Sequence, residues 1–569
     1  MCPEVSVIYD LKPIKAPRLT GLSLKIATKL AENPITAKAL SGKLLGDAGI
    51  LGLRNIDTDE ALPSQHPLIE HYASPAAEAA HPMDLDDVIG SPKTDGHGFQ
   101  FDTVADYTHA YRSGDLTPEA VAERVLAQSQ AGDSLSPPMR VFISQDADDL
   151  MAQARAATER IQTGKALSPL DGVPVAVKDE LDQQPYPTTV GTRFLGTEPC
   201  SHDAEVVARL RQAGALLIGK ANMHEIGLGV TGLNPHHGSA RNPYNPEHAT
   251  GGSSSGSAAA VAMGLCPLAV GADGGGSIRI PSALTGIVGL KGTFGRFSEH
   301  GAAPLCWSVA HVGPMGATAR DVALGYMLMA GPDKKDPNTR HQPPKHLNDW
   351  GNTDLSGMKL GIFKPWFEDA EAEIVEHCSA FVDKCVELGA EIVPIELPEL
   401  GLMSTVHLIT ISTEMVASHI RLYEDHQSDY GWDTRIAIAL ARQMQGYDYV
   451  HAQRHRARLC RNFYQALEQV DCIVTPSTGR TAPVLARDAL KTGESNLAVI
   501  GEILRFAQPA NLTGLPAISF PVGYDGKGLP IGIQFMGRPW AEHTLLKVAL
   551  AAEAVVERRA PRIHLPPLA

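Results

Sequence analysis

Cysteine is scarce in this chain, with eight residues among 569 and no C-x-x-C pair. So few cysteines in so long a chain exclude a small disulfide-stapled scaffold. The missing C-x-x-C spacing also removes the usual signature of a zinc site. Cys378 and Cys385 stand seven positions apart on a predicted helix, which is core spacing. We therefore expect reduced thiols, no metal and no cofactor, and an intracellular location.

Positive charge and long apolar runs are also lacking. The formal net charge is −15, which argues against a protein whose main task is to bind nucleic acid. No run of about 18 uncharged apolar residues occurs, so no membrane-spanning segment is expected. The first residues, MCPEVSVIYDLKP, do not show a charged segment followed by an apolar one, so no signal peptide is expected. A cytoplasmic protein is the resulting prediction.

The chain has the composition of a globular protein, at 43% hydrophobic and 20% charged residues. Residues 173–177 read as a short buried strand that ends at Lys178, and residues 216–220 as another, after a helix over 203–213. This alternation indicates an α/β fold. The length allows one large domain or two to three ordinary ones.

The first hundred residues differ from the rest. Residues 18–53 predict two helices that break at Asn33–Pro34, because proline restricts the residue before it. Apolar residues recur at helical spacing, at Leu22, Ile26 and Leu30 and again at Ala37, Leu40 and Leu44. Lysines make the segment locally basic, namely Lys25, Lys29, Lys38 and Lys43. The helices could pack on the main domain or on a partner subunit, or lie on a membrane surface. Residues 73–98 read as a linker or surface loop.

The most informative stretch is residues 251–295, which is rich in glycine and serine and carries serines at 253–255 and at 277. Residues 258–270 between them are apolar and long enough for a buried helix and strand. Glycines allow backbone N–H groups to approach a ligand closely. Gly274, Gly275, Gly276 and Ser277 could together direct several N–H groups at a developing oxyanion. A glycine-rich turn that merely closes a loop is the alternative.

Two other patterns in the sequence resemble functional sites, but we do not expect either of them to be one. Residues 252–256 match G-x-S-x-G, the nucleophile elbow of α/β-hydrolases, but that motif must follow a strand, and we expect residues 241–250 to be a loop. Histidines cluster at His224 and at His236–His237, but their spacing is irregular and no thiolate or carboxylate box accompanies them. We therefore expect neither an elbow nor a metal site.

The glycine–serine stretch resembles the amidase signature family. Family members carry GGSSGGS, then a GTDTGGSIR-like element and a PSAF-G-GLKPTYGR-like element; here they read GGSSSGS, GADGGGSIR and PSALTGIVGLKGTFGR. The upstream family element appears as DGVPVAVKDELD, with Lys178 75 positions before Ser253. Ser255, Ala272, Gly274 and Gly292 depart from the common pattern. Ser255 and Gly274 agree with plant-type fatty acid amide hydrolases, which the phrases APRLTGLSLK and KANMHEIGLGVTGLNP also resemble.

The resemblance implies roles for individual residues. Ser277 would be the nucleophile, Ser253 the bridging serine after a cis peptide bond, and Lys178 the base. Gly274, Gly275 and Gly276 would form the oxyanion hole with Ser277. By the same resemblance, three supporting residues would order the site, namely Ser254, Asp273 and Arg279.

The resemblance also implies an architecture: a large, mixed, twisted β-sheet flanked by helices on both faces. We expect residues 1–100 to form an N-terminal helical extension and linker, and residues 101–569 the amidase catalytic domain.

The predicted activity is hydrolysis of a carboxylic amide through an acyl-enzyme, with fatty acid amides such as N-acylethanolamines as substrates. Two alternatives stay open: an amidase, esterase or carbamate hydrolase for short or aryl substrates, and a glutaminase-type component of an amidotransferase complex. The expected partners are a small amide with an acyl chain, a second copy in a homodimer and, through the N-terminal helices, a membrane surface; nucleic acid is not expected.

Overall fold

A computed structural model describes residues 7–56, 83–93 and 98–569. The strands in these residues are β1 (Leu19–Thr20), β2 (Phe142–Ser144), β3 (Pro174–Lys178), β4 (Leu216–Ala221), β5 (Arg241–Asn242), β6 (Asn245–Ala249), β7 (Leu268–Ala272), β8 (Val288–Lys291), β9 (Val312–Gly316), β10 (Lys359–Ile362), β11 (Glu391–Pro394), β12 (Cys472–Pro476), β13 (Glu494–Ser495), β14 (Ala517–Tyr524) and β15 (Pro530–Gly537).

The α-helices are α1 (Gly21–Glu32), α2 (Pro34–Asp47), α3 (Ile50–Leu53), α4 (Leu85–Ile89), α5 (Val104–Ser113), α6 (Pro118–Asp133), α7 (Ala147–Gln162), α8 (Glu205–Gln212), α9 (Ser255–Ala262), α10 (Arg279–Thr285), α11 (Ala319–Met329), α12 (Lys364–Phe367), α13 (Ala372–Glu387), α14 (Leu400–His426), α15 (Trp432–Ala441), α16 (Gly446–Gln469), α17 (Leu497–Leu504), α18 (Gln508–Thr513) and α19 (Glu542–Val555).

Eleven strands form one mixed sheet in the order β11-β10-β12-β15-β14-β8-β9-β7-β3-β4-β2. β3 runs parallel to both β4 and β7, and β10 runs parallel to both β11 and β12. The strands between these two parallel groups pair antiparallel. The predicted large mixed sheet is confirmed.

Helices cover both faces of this sheet. Along β15, the Gln534 side chain reaches Arg279 of α10, whereas the ring of the next residue, Phe535, packs against Phe381 of α13. Successive side chains of a strand point to opposite faces, so α10 and α13 lie on opposite sides. All residues of β14 and β15 are buried, as expected for strands covered on both faces.

The predicted break at Asn33–Pro34 is confirmed, since α1 ends at Glu32 and Asn33 caps α2 through Ile35 N and Thr36 N. The predicted apolar stripe on α1 is not the buried one. Leu24 and Ala31 pack against α15, whereas Leu22, Ile26 and Leu30 are exposed to 74, 52 and 42%. Because residues 22 and 24 are separated by about 200° around a helix, α1 is apolar on two opposite sides.

Two further expectations need correction. Part of the expected linker, residues 83–93, carries α4, whose Val88 and Ile89 are buried because α4 packs on α11; residues 73–82 and 94–97 lie outside the described residues. The expected loop at 241–250 is an antiparallel ribbon of β5 and β6, stabilised because the Asn242 amide donates to Ala249 O and its oxygen accepts from Tyr244 N.

α14 is one helix that is long and apolar enough to cross a membrane by length and composition. More than half of its most apolar window is buried inside the protein, where it packs on α15, α16 and α18, as a core helix does. The cysteines among the described residues are all free thiols. The domain boundary at residue 100 stays a prediction.

Replacing a leucine by alanine should affect stability differently on the two sides of α1. Leu24→Ala should lower the free energy of unfolding by about 2–4 kcal/mol, because it leaves a cavity against α15. Leu22→Ala, on the exposed side of the same helix, should change it by less than about 0.5 kcal/mol. Urea unfolding and hydrogen exchange of the α1 amides measure both. Equal losses in the two variants would contradict the packing of α1 on α15.

Candidate active site

Lys178 lies at the carboxyl end of β3, with its side chain 1% exposed. Its Nζ donates to Ser253 Oγ at 2.8 Å and to Ala272 O at 3.2 Å. The end of β7, which contributes Ala272, lies beside β3 because the two strands are parallel neighbours. The sheet thus carries a buried lysine to within hydrogen-bonding distance of a serine that is 75 positions away in the sequence.

Ser253 and Ser254 lie directly before α9. The peptide bond Gly252–Ser253 is cis, as the resemblance implies. The Ser254 hydroxyl donates to Ala272 O at 3.1 Å and accepts from Ala272 N at 3.2 Å, and Ser254 N donates to Ser277 O. Ser254 therefore ties the start of α9 to the end of β7 and to the loop that carries Ser277.

The nucleophile candidate Ser277 is on the loop between β7 and α10. The Asp273 carboxylate organises this loop, because it accepts from Gly276 N at 2.6 Å and from Ile278 N at 3.1 Å. Gly276 has φ of +123°, a conformation that glycine adopts without the penalty of a Cβ. The structure differs from the expectation for Gly276: its N–H is bound by Asp273 and is not free to face an oxyanion.

Three other amides of the loop make no hydrogen bond within residues 7–56, 83–93 and 98–569, namely those of Gly274, Gly275 and Ser277. Among the same residues the Ser277 hydroxyl also makes no hydrogen bond, so its predicted contact with Ser253 is not formed here. Catalytic hydrogen bonds often tighten only when substrate binds. The link between Lys178 and Ser253 is formed, and the three amides are available to a ligand.

Asp273 and Arg279 form a buried ion pair at 3.0 Å. Burial alone would raise the pKa of Asp273, but Arg279 and the Asn511 amide outweigh it and hold the pKa below its ordinary value. Arg279 also donates to Gln534 Oε1, Ala507 O and Asn511 Oδ1. Through these contacts the ion pair anchors the loop to β15 and α18.

Several side chains around this loop were not predicted from the motifs. His407 of α14 has Nε2 2.9 Å from Gly274 O, and its Nδ1 faces the Gln508 amide. Burial lowers the pKa of His407 to about 4, so the ring is neutral and its Nε2–H can donate to Gly274. Asn511 and Gln508 come from α18. These residues lie more than 100 positions from the motifs, in segments without a signature that could have predicted them.

His224 is a second neighbour to which the sequence patterns gave no role. Its backbone N–H donates to Ser253 O at 3.1 Å, and its ring lies 3.8 Å from Asp433 Oδ2. Burial, and then Lys178, lower the pKa of His224 to about 4. Burial, and then the Glu225 carboxylate, raise the pKa of Asp433 to about 7. His224 is therefore neutral, and it holds the backbone of Ser253 rather than acting as its base.

The remaining histidines of the cluster have structural partners. His236 Nε2 lies 2.5 Å from Glu225 Oε1, and His237 Nε2 lies 2.7 Å from Thr192 O. No group of three or more histidine, cysteine or acidic side chains suited to a metal is present in the part of the chain that the structure describes.

The match to a nucleophile elbow fails for a different reason from the one expected. Residues 252–256 do follow a strand, since β6 ends at Ala249, and α9 follows. The central serine of the match, Ser254, is nevertheless fully buried and bound on both sides to Ala272. A hydroxyl in that position cannot present itself to a substrate, so the match to G-x-S-x-G has no catalytic meaning here.

A buried lysine bound to one serine, beside a second serine on a glycine loop, is the arrangement of a serine hydrolase that uses lysine in place of histidine. The family model described as Amidase matches residues 123–546. The chain belongs to this amidase family and is an amidase.

Individual relatives agree with this assignment. A fatty acid amide hydrolase of Arabidopsis thaliana is 40% identical, over 96% of this chain and 94% of its own. A glutamyl-tRNA(Gln) amidotransferase subunit of Symbiobacterium thermophilum is 35% identical, over 81% of this chain and 98% of its own. The solved structure of a peptide amidase from Stenotrophomonas maltophilia has a TM-score of 0.70 at 28% identity, over 81% of this chain and 98% of that one.

The raised pKa of Asp433 predicts a pH effect on stability. Between pH 4 and 7 the folded state retains a proton on Asp433 that the unfolded state has lost, so stability falls as pH rises through this interval. Asp433→Asn should abolish this part of the pH dependence. Its free energy of unfolding relative to wild type should therefore rise by up to about 1.4 kcal/mol for each pH unit of the interval. Urea unfolding at pH 4, 5.5 and 8 measures the difference between variant and wild type. A difference that does not grow with pH would contradict the raised pKa.

Proposed function

We propose that this chain hydrolyses long-chain fatty acid amides, such as N-acylethanolamines, to a free acid and an amine through an acyl-enzyme on Ser277. The observation that carries the catalytic part is the 2.8 Å hydrogen bond between Lys178 Nζ and Ser253 Oγ, next to the loop of Ser277. The substrate class rests on the fatty acid amide hydrolase of Arabidopsis thaliana, which this chain matches almost end to end.

In this mechanism, neutral Lys178 takes the proton of Ser253 while Ser253 takes the proton of Ser277, whose Oγ attacks the amide carbonyl. The N–H groups of Gly274, Gly275 and Ser277 would hold the oxyanion that forms. The proton then returns from Lys178 through Ser253 to the leaving amine as the C–N bond breaks. Water, activated by the same relay, releases the acid from Ser277.

A cavity of about 510 Å³ supports a substrate with a large apolar part. Its lining includes Phe294, Trp307 and Tyr449. Trp307 follows Cys306 in the chain, and a Cβ on Gly274 would lie 3.1 Å from Cys306 Sγ. The segment 306–308 therefore leads from the glycine loop to the cavity, the direction in which an acyl chain would extend.

Glutamine and a short amide are the alternatives to a lipid substrate. The 35% identity to an amidotransferase subunit favours glutamine, and the fold shared with a peptide amidase favours a short amide. The match to the amidotransferase subunit covers 81% of this chain, and the match to the fatty acid amide hydrolase covers 96%. The longer match favours the lipid substrate.

Substrate and nucleophile are tested together. Purified wild type should release amine from a long-chain N-acylethanolamine faster than from a short aryl amide or from glutamine. Ser277→Ala should lower that rate by about 10⁴-fold or more, because no acyl-enzyme can form. Ser257→Ala is the matched control and should keep most of the activity. It removes a buried hydroxyl of α9 that donates to Val270 O of β7.

The outcomes separate the claims. Turnover of only the short amide would keep the amidase mechanism and end the lipid proposal, and turnover of only glutamine would favour the amidotransferase role. Full activity in Ser277→Ala would contradict the nucleophile assignment.

We also propose that the exposed side of α1 and α2 contacts a membrane surface. Leu22, Ile26 and Leu30 form one exposed apolar stripe on α1, and Ile35 at the start of α2 is 81% exposed. The same two helices carry exposed positive charge at Lys29, Lys38 and Lys43, whereas Lys25 lies over the Trp432 ring of α15. Apolar residues flanked by cationic side chains suit the boundary of an anionic bilayer.

The membrane proposal predicts a salt-sensitive association with vesicles. Wild type should sediment with vesicles of phosphatidylcholine and phosphatidylglycerol, and the triple variant Leu22→Ser, Ile26→Ser, Leu30→Ser should lose most of that binding. Leu135→Ser, Leu167→Ser, Val484→Ser, at exposed apolar positions elsewhere, is the matched control. Light scattering tests the expected homodimer: a dimer in wild type that dissociates in the α1 variant, with no vesicle binding, would assign this face to a second copy and contradict the membrane proposal.

A further inference from the structure

Glu180 lies two residues after Lys178, and the sequence patterns gave it no role. Its Oε2 is 2.6 Å from Lys178 Nζ, and the side chain is only 9% exposed. Among the described residues this oxygen has no hydrogen bond of regular geometry, so the ion pair with Lys178 is its close polar contact. A Cβ on Gly227 would lie 3.6 Å from this oxygen and 3.7 Å from Ser253 Oγ, so the carboxyl group and the bridging serine border the same glycine.

Three oxygens therefore surround Lys178 Nζ: Ser253 Oγ, Ala272 O and Glu180 Oε2. A neutral amine has two N–H groups and one lone pair, whereas an ammonium has three N–H groups. Ala272 O and the carboxylate can only accept, but the Ser253 hydroxyl can also donate. The arrangement suits both states, because the neutral amine can direct its lone pair at Ser253 and the ammonium can direct one N–H at each oxygen.

Burial shifts the pKa of three titratable groups near this pair toward the uncharged form. Burial and the negative neighbours Asp336, Glu180 and Glu414 raise the pKa of Glu299 well above its ordinary value. Burial raises the pKa of the Cys306 thiol, and burial with Lys178 lowers the pKa of His224 to about 4.

The charged groups around the pair are engaged elsewhere. Asp179 pairs with Lys220, and Glu414 accepts from Ser308 and from Trp307 N. Lys291 differs from these two, because burial, and then Arg279, lower its pKa. This leaves Glu180 as the carboxylate in contact with Lys178.

We propose that Glu180 is a positioning residue of the active site, which acts through Lys178. Its carboxylate holds Nζ against Ser253 and balances the positive charge that appears when Lys178 takes the proton from the serine relay. Glu180 keeps its own charge throughout; the only proton that moves passes from Ser277 through Ser253 to Lys178 and returns to the leaving group. The inference rests on the proposed role of Lys178 as base and adds to it a third group that orients the base, as a carboxylate does beside a histidine base.

The test measures activation of Ser277 without an amide substrate. A fluorophosphonate phosphonylates the serine oxygen and expels fluoride, so its labelling rate reports the nucleophile and requires no protonation of an amine. Glu180→Gln should lower the maximal labelling rate by about 10- to 100-fold, because the base is weaker. The acid limb of the rate–pH profile should move to lower pH by about one unit or more, because an ammonium without its carboxylate loses its proton more readily.

Three controls separate this role from a structural one. Glu180→Asp keeps the charge and should recover part of the rate with the acid limb near its wild-type position. Glu553→Gln alters a half-buried acid of α19 that accepts from Ala319 N, and it should leave the profile unchanged. In Glu180→Ala, sodium formate should restore the labelling rate several-fold and sodium chloride should not, because only a carboxylate can replace the missing contact.

The outcomes are distinguishable from failure of the proposed function. A Glu180→Gln profile equal to wild type, or a lowered rate with an unmoved acid limb and no rescue by formate, would overturn the role of Glu180 while the Ser277 assignment stands. Labelling of Ser277→Ala as fast as wild type would instead remove the nucleophile on which the proposal rests.

Discussion

The arrangement of the site depends on one buried carboxylate, that of Asp273. Its side chain has no exposed surface and forms an ion pair with Arg279 while it binds the amides of Gly276 and Ile278. A buried charge is costly unless donors surround it, and here the guanidinium and several N–H groups do so. Without this carboxylate the glycine loop would lose the contacts that fix its amides, and Arg279 would be left as an uncompensated charge between α10 and β15.

The sheet supplies the second constraint. β3 and β7 are parallel neighbours, so their carboxyl ends meet at one edge, where ligand sites of α/β sheets commonly lie. Lys178 ends β3, and Ala272 ends β7 directly before Asp273. Strand pairing alone thus brings together a base candidate and the loop of the nucleophile candidate, although about 95 residues of chain separate them. α9 then places Ser253 between them.

Much of this was predictable from sequence because it is local. The strand that ends at Lys178, the helix and strand between the two serine sites, and the break at Asn33–Pro34 all follow from short patterns of apolar, glycine and proline residues. What could not be predicted comes from distant segments: His407 and Asn511 reach the loop from the C-terminal half, without a motif. The buried side of α1 could not be predicted either, because periodicity shows an apolar stripe but not which side of the helix a neighbouring helix will cover.

The N-terminal helices and the site belong to one packed structure. α1 buries Leu24 against α15, and Glu32 of α1 binds Arg435 of α15 through both carboxylate oxygens. α15 also carries Asp433 to the ring of His224, whose backbone N–H holds Ser253 O. Each contact is between buried or half-buried groups, so α1 cannot shift far without moving α15. α1 is therefore packed on the same helix, α15, that carries Asp433 to within 3.8 Å of His224, while the outer side of α1 stays exposed.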